Sequence, residues 1–209
     1  MIIMSKYKLN VTLSDAALQT IYGAGQKLAI VKAVAGNSGV PVVWVSTLPF
    51  ESNVIEWENE YQIYASRKEA MHGATISKLS ETAGITNLSF DFKDGIFQNA
   101  QPSQMVGANE YGIHNAMDAY PSLTFGLAEA VRVNGELQPG KPINAVLLPY
   151  NHTAAMSPIE KIQVFLAGDI NDGVVQTREL SNAIELTYEG NDTEKAIRYD
   201  ETKGIFVPV

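Results

Sequence analysis

Few residues in this chain could do chemistry. There are three histidines, His72, His114 and His152, and no cysteine. His114 lies in Glu110-Tyr-Gly-Ile-His-Asn-Ala-Met-Asp118, a stretch that gathers an imidazole, two carboxyls and a phenol. His114 paired with Glu110 or Asp118 would serve as a base and its orienting acid, the pattern of a hydrolase or isomerase. No Gly-x-Ser-x-Gly elbow accompanies it, and a polar loop assembles such a set easily. His72 stands in a polar turn, where it is a candidate ligand contact or an ordinary exposed loop residue. None of the three histidines has a second ligand at metal-binding spacing.

Gly168-Asp-Ile-Asn-Asp-Gly173 resembles a calcium loop, in which side-chain oxygens alternate and a glycine permits the sharp turn. Asp169, Asn171 and Asp172 would be ligands, with Glu179 at the bidentate position. The loop is one residue short for that role, and Asn-Asp-Gly also suits a plain hairpin turn. Calcium is the one cofactor this reading admits. Both tryptophans, Trp44 and Trp57, fall in the first half, and Glu56 and Glu58 flank Trp57. An exposed indole at 57 would offer a sugar or lipid surface an apolar face with a polar edge. A buried one would belong to the core or cover a sheet edge.

Short strands are what must position these residues. Tyr7, Leu9, Val11 and Leu13 alternate, the period of a half-buried strand. Ser14-Asp15 then predicts an N-cap and a short helix over 16–22. Apolar and β-branched runs follow at 27–34, 40–45, 54–58, 61–66, 86–92 and 123–133, then at 183–188, 195–199 and 205–209. Asp94-Gly95 and Asn134-Gly135 are hairpin signals.

One pattern occurs twice. Tyr61–Ser66, a turn, Gly73 and Leu79-Ser80 are matched by Ile162–Ala167, a turn, Gly173 and Leu180-Ser181. Pro41 to Leu48-Pro49-Phe50 is matched by Pro142 to Leu148-Pro149-Tyr150. The expected fold is therefore all-β: two tandem, similar β-sandwich halves arising by internal duplication, with Greek-key-like connections and one or two short helices. The expected boundaries are 1–97 and 123–209, joined by 98–122. That connection is long for a loop and is expected to carry structure or pack across an interface.

Composition narrows the function. The 209 residues carry a formal net charge of -8, with 45% apolar and 18% charged residues. An acidic chain without a Lys/Arg run disfavours nucleic acid as partner. No apolar run reaches the roughly 18 residues that span a bilayer, so a transmembrane protein is not expected. The stretch 1–6 has no basic region followed by an apolar one, so the expected localisation is cytoplasmic, or export without a classical signal peptide. No enzyme signature emerges. The expected function is a non-enzymatic binding or self-assembling protein, similar in type to cytoplasmic lectins and β-rich defence toxins. Its expected partners are a second copy of itself or a carbohydrate or lipid surface.

Overall fold

The computed structural model describes residues 5–36, 39–178 and 182–209. The chain opens with β1 (Lys6–Thr12), α1 (Asp15–Gly23), β2 (Gln26–Gly36), β3 (Val40–Pro41), β4 (Val43–Thr47) and β5 (Ser52–Ser66). It continues through β6 (Lys78–Ala83), β7 (Leu88–Lys93), β8 (Ile96–Pro102), β9 (Tyr111–Asn115) and β10 (Ser122–Val133). It ends with β11 (Glu136–Pro142), β12 (Asn144–Pro149), β13 (Thr153–Gly168), β14 (Ile184–Thr187), β15 (Glu194–Asp200) and β16 (Ile205–Pro208). As expected from the sequence the fold is all-β with a short helix, but its two packed sheets make one sandwich and not one in each half. Ser14 caps that helix, its Oγ accepting from the Ala17 N–H at 3.1 Å, and Ala17, Leu18 and Ile21 pack into the core. Among the described residues, no helix is long and apolar enough to cross a membrane.

Two sheets make the sandwich. The first runs β16-β15-β1-β5-β10-β12-β3, with β6 on β5 and β11 on β10. The second runs β4-β2-β13-β9-β7-β8, with β14 on β13. Strands from 1–97 and from 123–209 are interleaved in both sheets, and 98–122 supplies β9 and the end of β8. A regular correspondence relates the two. Long β5 takes β1 on one flank and β10, then β12, on the other; long β13 takes β9 on one flank and β2, then β4, on the other. Registers agree as well: Thr12 pairs with Ser52 as His114 pairs with Thr153. The outer strands follow suit, β15 lying parallel to β1 and β7 parallel to β9.

Two sequence runs are divided differently from the expectation. The run 40–45 is not one strand. Val42 turns aside to bond Ile143 and bridge Val175, which sends β3 to the first sheet and β4 to the second. Conversely, 54–58 and 61–66 are one continuous β5, interrupted only by a bulge.

The main core lies between the sheets. Leu9, Val11, Ile55, Ile63, Phe125 and Leu127 face Leu28, Ile30, Phe92, Ile113, Ile162 and Val164, all buried. The two glycine turns of the recurring pattern meet each other: the Gly73 N–H donates to Val175 O at 3.0 Å and the Ile76 N–H to Gly173 O at 2.8 Å. Leu180-Ser181 lies outside the described residues.

Candidate functional site

Both sheets carry the same irregularity. In the first, Glu129 pairs with Tyr61 and Val131 with Trp57, so Glu58, Asn59 and Glu60 bulge opposite Ala130. In the second, Lys32 pairs with Ile162 and Val34 with Pro158, so Ile159, Glu160 and Lys161 bulge opposite Ala33. Bulges bend a strand and increase its local twist, and they re-aim side chains. Two things follow here, one on the inside of the sandwich and one on its outside.

Inside, a charged cluster sits in the apolar core. Lys32 occupies a core-facing position of β2, after Leu28 and Ile30, and Glu129 occupies one of β10, after Phe125 and Leu127. Lys32 is 1% exposed and Glu129 0%. The Lys32 Nζ donates to both Glu129 carboxylate oxygens at 2.8 Å and to the Tyr61 hydroxyl at 2.9 Å. It also lies 2.9 Å from Glu160 Oε2, whose side chain is 16% exposed and is the cluster's route to solvent. The Tyr61 hydroxyl donates to Glu160 Oε1 and the Trp57 indole N–H to Glu160 Oε2 at 3.0 Å. Trp44, Trp57 and Tyr61 surround the ammonium, with ring centroids 5.5 Å, 5.6 Å and 5.0 Å away. All three rings are within cation–π range.

One ammonium faces two carboxyl groups here. Burial pushes the Glu129 carboxyl up to about 8; Lys32 opposes this and the Glu160 carboxylate adds to it. Desolvation disfavours the charged form, and it outweighs the ion pair here. Burial, with Glu129 and Glu160 nearby, likewise holds the Tyr61 phenol well above its ordinary range. The cluster joins β2 and β13 of the second sheet to β5 and β10 of the first. The cluster therefore fixes how the two sheets face each other.

Outside, on the other face of the first sheet, a groove of about 580 Å³ runs across β1, β5 and β10 and is edged by β11 and β15. That volume falls within the range of small-ligand sites. Lys6, Lys8 and Arg132 line it, and so do Glu56, Glu58, Glu60 and Glu194, with Ala130 and Leu137 as apolar floor and wall. Lys6 pairs with Glu58 and Lys8 with Glu194, both at 3.1 Å. A hydrogen bond from Asn10, aided by Lys8, holds the Glu194 carboxyl below its usual range.

The structure thus brings Glu56, Glu58 and Trp57 together, but it changes the part of Trp57. At 3% exposure its ring is core, stacked on Tyr7 and edge-on to Trp44. The phase of β5 explains this: Ile55, Trp57 and Tyr61 point inward while Glu56 and Glu60 point out.

The remaining candidates are scattered. His114 is on β9 and meets neither expected partner. Its Nδ1 lies 2.9 Å from Asp91 Oδ1 on the parallel neighbour β7, and its Nε2 lies 3.4 Å from Asn151 Oδ1. Glu110 instead accepts from the Gly107 N–H at 2.7 Å, and Asp118 is exposed in the following turn. His72 is exposed and its Nδ1 accepts from the Thr177 N–H at 3.3 Å, a contact that braces the turn.

The calcium reading meets lysines. Asn171 Oδ1 accepts from the Lys27 Nζ at 2.8 Å, Asp172 Oδ2 binds the Lys141 Nζ, and Asp172 Oδ1 accepts from the Ser46 N–H at 2.6 Å. A calcium ion would have to displace two ammonium groups. Asp169, with φ of 50°, only completes the turn, and Glu179 lies outside the described residues. Among the described residues, no group of three or more His, Asp or Glu side chains could hold a metal ion.

No protein family, curated protein or solved structure matches the chain. Sequence reasoning passed over Lys32, Glu129, Glu160 and Arg132. A signal for two of them was present: Lys32-Ala33-Val34 and Glu129-Ala130-Val131 place opposite charges at the same step of two apolar alternations.

Proposed function

We propose that this is a non-enzymatic binding protein and that its ligand is a neutral saccharide held in the outer groove of the first sheet. The observation that carries this reading is the groove's lining, three cations interleaved with four carboxylates over an apolar floor. Near-balanced charge favours neither a polyanion nor a polycation. A ligand that both donates and accepts hydrogen bonds along its length, without net charge, suits such a wall. Hydroxyls donate to Glu56 and Glu60 and accept from Lys8 and Arg132, and the ring's apolar edge rests on Ala130 and Leu137. Catalysis is not part of this reading.

The test is isothermal titration of the full chain with cellotriose, maltotriose and chitotriose. Glu56→Gln and Arg132→Ala are each expected to weaken binding by roughly ten- to a hundredfold, the worth of one hydrogen bond to a charged group. Heat with none of the three sugars would sink the proposal. A dimer seen by sedimentation, whose formation Leu137→Glu prevents, would replace the saccharide by a second copy.

A further inference from the structure

The groove has a counterpart. On the outer face of the second sheet, a pocket of about 260 Å³ lies over the equivalent bulge. Three positions correspond directly. Ala33 takes the place of Ala130, Val34 that of Val131, and Lys161 that of Glu60, as the strand registers require. The physical origin is the same in both sheets. Three residues opposite one bend the long strand, and an alanine opposite the bend leaves the space open. Lys161 and Glu185 stand 2.7 Å apart at the rim, beside the Gln163 amide, and the Gly39–Pro41 segment closes the far side. The rim is charge-balanced like the groove, and the amide both donates and accepts.

We propose that this pocket is a second binding site for the same class of ligand, so that one chain holds a neutral saccharide on each outer face and can bridge two glycan chains. The proposal rests on the reading of the groove as a saccharide site. At less than half the groove's volume, the second pocket takes a shorter part of the sugar and binds more weakly.

The test is the stoichiometry of cellotriose, maltotriose and chitotriose titrated into the full chain. Two sites per chain are expected, of which Gln163→Ala removes the weaker and Arg132→Ala weakens the tighter. Lys161→Ala serves as a second variant, since it too lies outside the core cluster. A single site unaffected by Gln163→Ala and Lys161→Ala would overturn the second pocket and leave the groove standing. A single site abolished by Gln163→Ala and indifferent to Arg132→Ala would keep the pocket and sink the groove. No heat in the unaltered protein would remove both.

Discussion

Replacing Lys32 with methionine tests the buried cluster directly. The substitution keeps an unbranched side chain of similar length and deletes the ammonium. Glu129 then loses its donor of two 2.8 Å hydrogen bonds while remaining fully buried, whereas Glu160 keeps its bonds from Tyr61 and Trp57. At pH 9, where Glu129 is ionised, removing one partner of this buried ion pair costs about 3–5 kcal/mol, because the other charge is stranded. For a chain of this size that lowers the melting temperature by about 6–20 °C. The loss depends on pH. With its carboxyl already raised to about 8, Glu129 can take a proton and become neutral, so Lys32→Met costs less at pH 6 than at pH 9. Lys32→Met/Glu129→Leu removes the stranded group too and is expected to recover much of the loss. Urea unfolding followed by tryptophan fluorescence is the assay, since both indoles lie within 5.6 Å of the ammonium. A single mutant within about 1 kcal/mol of the parent at both pH values would refute the argument, given the cost expected for a broken buried pair. So would a double mutant no better than the single.

Glu129 also gives the unaltered protein a pH dependence. Its folded pKa lies above its ordinary 4.5, so the proton favours the fold; that contribution is complete below pH 4.5 and is lost as the pH climbs through about 8. Urea midpoints should fall between pH 6 and 9, and Glu129→Gln should flatten the profile; an equal slope in the variant would place the cause elsewhere. His114→Ala and Asp91→Asn each remove a partly exposed pair and should change unfolding free energy by less than about 1 kcal/mol, with a larger loss marking a structural role. Millimolar calcium should leave the melting temperature unchanged, because Lys27 and Lys141 already satisfy Asn171 and Asp172; a rise of several degrees would show a native-state site.

The parts of this protein that are legible in its sequence are those fixed by neighbours along the chain. The β1 alternation and the Ser14 cap rest on local sterics and local hydrogen bonds. So do the two hairpin turns, Asp94-Gly95 with φ of 54° and 83° and Asn134-Gly135 with φ of 51° and 85°. Positive φ at both central residues is what such turns demand, and Asn, Asp and Gly supply it. The recurrence of the Gly73 and Gly173 frames is legible for the same reason. What the turns touch is not: they bond to each other across the fold. Lys32 meets Glu129 across 97 residues of sequence and Glu160 across 128, and Asp91 reaches His114 only because β7 and β9 run parallel. Whether Trp57 faces a sugar or the core turned on which face of β5 was covered, and the second sheet decided that. Period and turn chemistry determine that the chain makes strands and where they bend. Tertiary packing decides which sheet each strand joins, because the hydrogen-bonding edge of one strand accepts any partner of the right phase and only burial of the whole selects among them.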